Sequence, residues 1–419
     1  MLQKSTLNNG IRVVTERMKS LHSVTIGFWV QNGSRHEEEE LSGISHFIEH
    51  MLFKGTQTRS SLQIAKEIDS VGGVLNAFTG REFSCYYAKV LGDKLPQAIS
   101  LLSDLVLNST FDQTEIEKER RVILQELSMV EDTPDDQVHD LFCKSIWNSH
   151  PLGMPVLGNR ETVQRIAQAD LLQMLEKRYF GHNILIAAAG NLDHHQIVDQ
   201  LEQAFSVVAA GQPDNSCTLP AYRPGLKIER KDLEQTHFCL GCKALPQNHP
   251  DRFVQQLLNS ILGGSMSSRL FQSIREERGL AYSIYSYLNV HSDAGALVVY
   301  GGTSPSSLWE TVQLALEQFA SLKNDYICSE ELHMAREQMK GTLLLSLESS
   351  DNRMTRLAKN EIFLGHQPKI EEIVANIDRV TVESLQKLAA QLLTDESLNL
   401  NVIGPVSDSD LFLNKLTIA

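Results

Sequence analysis

The stretch SHFIEHMLFKGT, Ser45 to Thr56, sets His46, Glu49 and His50 within five residues of one another. On a helix, His46 and His50 stand one turn apart at i and i+4, with Glu49 at i+3 from His46, so all three project from one side. Two neutral imidazoles so arranged can bind one zinc ion, which takes nitrogen, sulfur or oxygen ligands in tetrahedral geometry and needs at least three from protein. A third ligand must then come from elsewhere. His-x-x-Glu-His is the inverse of the commoner zinc-protease order, and this composition gives only about 0.06 chance occurrences of it. The plainer reading is two solvated histidines on an amphipathic helix. Against it, Ile44, Phe47, Ile48, Met51, Leu52 and Phe53 are apolar enough to bury the helix, and polar groups are costly to bury without a partner.

A second helix offers carboxylates. In TEIEKERRVILQELSMV, Ile116, Ile123, Leu124 and Leu127 recur with helical spacing, and Thr114 with Glu117 fits a capping box. Glu119 and Glu126 are seven apart, two turns, and share a face. Glu126 sits among Val122, Ile123, Leu124 and Leu127, where an unpaired carboxylate would be costly and a nearby cation would remove the cost. Glu119, beside Arg120 and Arg121, reads equally as a surface ion pair.

The elements that hold these helices belong to a chain of 419 residues, more than one hydrophobic core usually serves, so two or more domains are expected. With 42% hydrophobic and 21% charged residues the composition is that of an ordinary globular protein. A net charge of -14 argues against a nucleic-acid partner and suits a basic or peptide-like one. The N-terminus has no apolar signal-type region, and no run is long enough to cross a bilayer. Six scattered cysteines (Cys85, Cys143, Cys217, Cys239, Cys242 and Cys328) suit free thiols in a reducing compartment. A bacterial cytoplasmic protein is expected, or a mature organellar one. Cys239 and Cys242 form a CxxC, but in a strand residues three apart point to opposite faces, which speaks against a shared metal.

Residues from about 10 to 205 and from about 226 to 404 run through one order of elements twice. Each half opens with an apolar strand, SVTIGFWVQNG or THFCLGCKAL, followed by a helix, the one with His46 to His50 or its counterpart FVQQLLNSIL. The helices SLQIAKEI and SRLFQSIREE come next, then Tyr-bearing strands, SCYYAKV and AYSIYSYLNV. Setting Glu115 on Glu331 gives an offset of 216, which puts Glu119 on Ala335 and Glu126 on Thr342. The expected organisation is a metal-binding half over 1–208, a linker rich in turn formers over 209–225, and a substrate-closing half over 226–419. The element order argues α+β halves with largely antiparallel sheets. The scaffold is duplicated and the chemistry is not.

GSRHEEEELSGISHFIEHMLFKGT, GGVLNAFTGREFSCYY, EIEKERRVILQEL and REERGLAYSIYSY together resemble the inverzincin peptidases, the family of pitrilysin, insulysin and the mitochondrial processing peptidase. The β subunit of the last and its bacterial homologues are most alike, and the likeness spans the chain. It implies two similar α/β-roll halves forming a clamshell around a central cavity, with one zinc per chain held by His46, His50 and Glu126. The spacing of 76 residues from His50 to Glu126 fits the family. Glu49 is then the catalytic base, Glu119 a supporting glutamate, and Arg275 with Tyr282 a donor pair for the oxyanion. The segment GGVLNAFTG suggests an edge to which an extended peptide adds as a strand, with Gly72, Gly73, Asn76, Ala77 and Phe78 in contact; the two glycines read equally as turn residues. The acidic run Glu37 to Glu40 reads as a solvated loop or an attractor of basic peptide residues. The function implied is zinc-dependent endopeptidase activity on unfolded or presequence-like peptides, in a homodimer or in a heterodimer with an inactive homologue. The alternatives are a non-catalytic core subunit of an assembly and a peptide-binding partner of the same fold.

Overall fold

The computed structural model describes residues 1–212, 218–325, 327–406 and 416–418. Cys217 and residues 213–217 of the linker segment lie outside them. The first part of the chain runs β1 (Leu2–Thr6), β2 (Arg12–Arg17), β3 (Ser23–Val30), α1 (Ile44–Leu52), α2 (Ser61–Ser70), β4 (Val74–Thr79), β5 (Ser84–Leu91), α3 (Leu95–Asn108), α4 (Gln113–Glu131), α5 (Pro134–Trp147), α6 (Arg160–Arg165), α7 (Gln168–Arg178), β6 (Ile184–Gly190) and α8 (His194–Phe205). The second runs β7 (Gly225–Arg230), β8 (Thr236–Ala244), α9 (Arg252–Gly263), β9 (Ala281–Val290), β10 (Gly295–Thr303), α10 (Leu308–Asn324), α11 (Ser329–Ser346), α12 (Ser350–Phe363), α13 (Ile370–Asp378), α14 (Val382–Leu392) and β11 (Asn399–Gly404).

Contacts divide these elements into two units: Met1–Met129, Met154–Cys217 and Leu345–Gln367 in one, and Val130–Gly153, Thr218–Leu344 and Pro368–Ala419 in the other. Helix α5 therefore belongs with the second sheet and α12 with the first. The first unit holds a sheet of order β1-β2-β6-β3-β5-β4, in which only β2 and β6 are parallel. Strand β3 is apolar without alternation because both of its faces are covered. Val24, Ile26, Phe28 and Val30 meet α1, α3 and α4 on one side. On the other, Trp29 packs with Leu185, Ala187 and Ala189 of β6 under Met354, Leu357 and Ala358 of α12. Gly27 makes room there, since a Cβ would lie 2.7 Å from Met354 Sδ. Across the same seam Lys89 pairs with Asp351 at 2.7 Å.

The second unit's sheet has the order β7-β11-β8-β10-β9, again with one parallel pair, β7 and β11. Its two faces pack against α9, α10 and α14 on one side and α5 on the other. Val138, Phe142 and Ile146 of α5 lie on Ala296, Val298 and Ile403. Gly241 repeats the role of Gly27, a Cβ there falling 2.5 Å from the Phe142 ring. Strand order corrects one pairing read from the sequence. The Tyr-bearing β9 is an edge strand and so matches β4, while SCYYAKV, in β5, matches β10. Cys239 and Cys242 face opposite cores, as the period of two requires. Among the described residues no helix is long and apolar enough to cross a membrane.

Candidate metal centre

Helix α1 buries Ile44, Phe47, Ile48, Met51 and Leu52 and turns His46, Glu49 and His50 the other way. Its start is secured from outside the helix. Gly43 at its N-cap has φ 96°, a left-handed conformation that suits glycine. The Glu37 carboxylate accepts from the backbone N–H groups of Gly43 and Ser45, both at 2.8 Å. Asn32 Nδ2 donates to Ser45 Oγ at 3.1 Å. Glu37 is thus a buried cap rather than part of a solvated acidic loop, while Glu38, Glu39 and Glu40 are exposed. Burial pushes its carboxyl up to about 7, against the lowering effect of the two N–H donors.

Helix α4 begins two residues earlier than its sequence suggests. Asp112 Oδ1 accepts from the N–H groups of Thr114 and Glu115, at 2.8 and 3.2 Å, so Asp112 and not Thr114 is the cap. With Ile116, Ile123 and Leu127 in the core, Glu119 and Glu126 face α1. Glu126 Oε2 lies 3.7 Å from His46 Nε2 and 3.7 Å from His50 Nε2. The imidazole of His50 donates from Nδ1 to Glu119 Oε2 at 3.1 Å. Burial differs from expectation: the Glu126 side chain is 41% exposed, and Glu119 is the enclosed carboxylate at 6%. Glu119 pairs with His50 and with Lys54 Nζ at 2.7 Å rather than with the neighbouring arginines. Arg120 instead pairs with Glu117 and lies over Phe47.

One ligand atom each from His46, His50 and Glu126 falls within 4.8 Å of the others. A tetrahedral ion with bonds near 2.0–2.1 Å needs ligand separations of about 3.3 Å, shorter than the 3.7 Å from Glu126 Oε2 to each Nε2 and than the 4.8 Å that bounds the set, so binding would draw the three side chains together. The donor set, two nitrogens and one oxygen, suits zinc. Burial, reinforced by His50, drops His46 to about 3, so its imidazole is neutral at neutral pH, the form that ligates. The rings of His46 and His50 meet edge-on at 4.6 Å. Burial also raises the Glu49 carboxyl, opposed by a hydrogen bond from Thr79 Oγ1 to Oε2 at 2.5 Å and by His50. Thr79, at the end of β4, carries no sequence signal for this role.

Strand β4 is the sheet edge, bonded to β5 alone among the described residues. Asn76 and Ala77 lie along it, and Phe78 packs on Trp29 at 5.4 Å. Gly72, at φ 61°, and Gly73 close α2 through hydrogen bonds to Asp69 and Ile68. A Cβ on Gly73 would strike Ile68 and Val90 at 2.7 and 2.8 Å, so both glycines have turn and packing reasons to be there. Arg275 and Tyr282 belong to the second unit. Arg275 sits in a π-helical segment, Phe271–Glu276, its guanidinium 4.7 Å from the Tyr282 ring, and Tyr282 is 81% exposed.

This arrangement agrees with what the chain is similar to. Residues 12–160 match the insulinase model of peptidase family M16, and 165–339 match the model of the peptidase M16 inactive domain. An uncharacterized zinc protease of Bacillus subtilis, YmxG, is 43% identical over 94% of this chain and 97% of its own length. Two solved structures share the fold: a peptidase M16 inactive domain from Pseudomonas fluorescens (TM-score 0.91, 20% identity, covering 97% of this chain and 98% of that one) and a chain of complex III2 from Candida albicans (TM-score 0.88, 22% identity, 99% of each). The chain belongs to peptidase family M16, the insulinase family.

Proposed function

We propose that the protein is a zinc-dependent endopeptidase acting on unfolded or presequence-like peptides, with His46, His50 and Glu126 as the ligands of one zinc ion. The convergence of these three side chains, within 4.8 Å, carries the reading. The description of the Bacillus subtilis relative as a zinc protease supports the choice of metal. Three protein ligands leave a fourth position open, the arrangement of a catalytic site. A bound zinc would polarise the scissile carbonyl and lower the pKa of the attacking water to about 7. Glu49 takes the proton from that water and returns it to the leaving amine. Its raised pKa, from burial, makes it the stronger base for the first of these transfers. Thr79 fixes the Glu49 carboxylate, and Glu119 holds His50 with Nδ1–H as donor and Nε2 free for the metal. The proposal extends to Arg275 and Tyr282 as donors to the oxyanion, and to the β4 edge, with Gly72, Gly73, Asn76, Ala77 and Phe78, as the strand to which the peptide adds. The working form is a homodimer, or a heterodimer with an inactive homologue.

Metal content and cleavage of a basic extended peptide, measured on one preparation of the native protein and of Glu49→Gln, test this. One zinc per chain in both, with cleavage only in the native protein, is expected. Absence of zinc from both would overturn the enzyme reading in favour of a non-catalytic subunit of the same fold.

A further inference from the structure

Lys54 follows α1, two residues beyond its last turn, and its ammonium meets Glu119 Oε1 at 2.7 Å while His50 Nδ1 meets Oε2 of the same carboxylate at 3.1 Å. Glu119 is 6% exposed, and the Lys54 side chain 31%. A carboxylate so enclosed needs an opposite charge, and the N–H of a neutral imidazole is not one. Lys54 supplies it. The geometry points to Lys54 as a positioning residue that acts through Glu119: the ammonium pins one carboxylate oxygen, which aims the other at His50 Nδ1 and leaves His50 Nε2 turned toward Glu126. This role rests on the zinc reading above. The segment matters as much as the charge. Lys54 N–H bonds Met51 O at 3.1 Å, which ties the residue to the end of the helix that carries both histidines. Helix α1 and the turn that follows it thus carry, in order, two metal-facing imidazoles and the cation that anchors the group orienting the second. Two things would differ if Lys54 were an ordinary surface cation: its partner would be solvated, and its loss would be worth little.

The test is zinc affinity of the full chain, stripped with a chelator and titrated with zinc against a chromophoric competitor, so that turnover is not needed. Lys54→Met is expected to weaken zinc binding by about 10-fold or more, the range for orienting partners of metal ligands. Lys54→Arg keeps the charge and restores most of the affinity, which separates positioning from misfolding. In a Glu119→Gln background, Lys54→Met changes nothing further. Native-like affinity in Lys54→Met, or equal losses with and without Glu119, would overturn the role of Lys54. Failure of the native chain to bind zinc, or unchanged binding after His46→Ala, would instead overturn the metal reading on which it stands.

Discussion

Helices α1 and α9 follow corresponding strands, β3 and β8, in sheets of matching order, yet only one of them gathers chemical groups. The difference begins before the helix. Thirteen residues, 31–43, lead from β3 into α1, whereas seven, 245–251, lead from β8 into α9. The longer lead buries a charged support, with Arg35 on Glu82 at 2.9 Å and Glu37 on the helix start. The shorter lead is tied down by the helix itself, as Gln255 Oε1 accepts from Leu245 N at 2.6 Å. The partner helices diverge likewise. Helix α11 begins 216 residues after α4 and carries Ala335 and Thr342 where α4 carries Glu119 and Glu126. A site of this kind therefore needs a rebuilt approach to the helix as well as new side chains on it.

The contrast is sharpest at the proposed ligands. His50→Ala leaves two protein ligands, and peptide cleavage is expected to fall by about 10³-fold or more with loss of zinc, whereas Thr342→Ala leaves both unchanged; metal analysis and a cleavage assay on the two variants read this. Glu49→Gln should lower kcat by about 10²–10⁴-fold while zinc stays at one per chain, and a variant that lost its metal would assign Glu49 a different role. Glu119→Gln is expected to weaken zinc about 10–100-fold, with Ala335→Ser in the second unit as the silent counterpart in a competition titration.

Where the units are alike, they should respond alike. Gly27→Ala and Gly241→Ala each press a methyl group into a crossing helix and are expected to destabilise their units by about 1–3 kcal/mol, seen as lower denaturation midpoints; one tolerated and one not would break the correspondence. A pH dependence without a counterpart in the second unit's shorter lead is expected from Glu37. Its carboxyl keeps a proton to about pH 7 in the folded chain and releases it near 4.5 when unfolded, so the folded state binds more protons in that window and loses stability as pH rises through it, by at most about 1.4 kcal/mol per pH unit. Glu37→Gln should flatten that slope in melting curves recorded between pH 4.5 and 7.

The sequence made the α1 triplet legible because helical spacing alone sets its face, and the same holds for Glu119 and Glu126 on α4. The repeat was legible through its order of elements, although the offset shifts from 213 at β3 and β8 to 208 at α1 and α9 and 216 at α4 and α11. Which carboxylate is buried was not: Ile123 and Leu127 turn to the core, while Val122 is 47% exposed and the Glu126 side chain 41%. Lys54 and Thr79 act through approaches fixed only by the fold, across 65 residues from Lys54 to Glu119 and 30 from Glu49 to Thr79, and Glu37 acts through a burial that its exposed acidic neighbours do not announce. The exchange of α5 and α12 between units was hidden for the same reason, since an amphipathic pattern tells a helix to bury a face but not against which sheet.

The central claim is that His46, His50 and Glu126 hold one metal ion. Diffraction from crystals of the protein grown with zinc, recorded on both sides of the zinc absorption edge, tests it most directly. The account predicts a single anomalous peak about 2.0–2.2 Å from His46 Nε2, His50 Nε2 and a Glu126 oxygen. A peak elsewhere, or none between those three side chains, would contradict it.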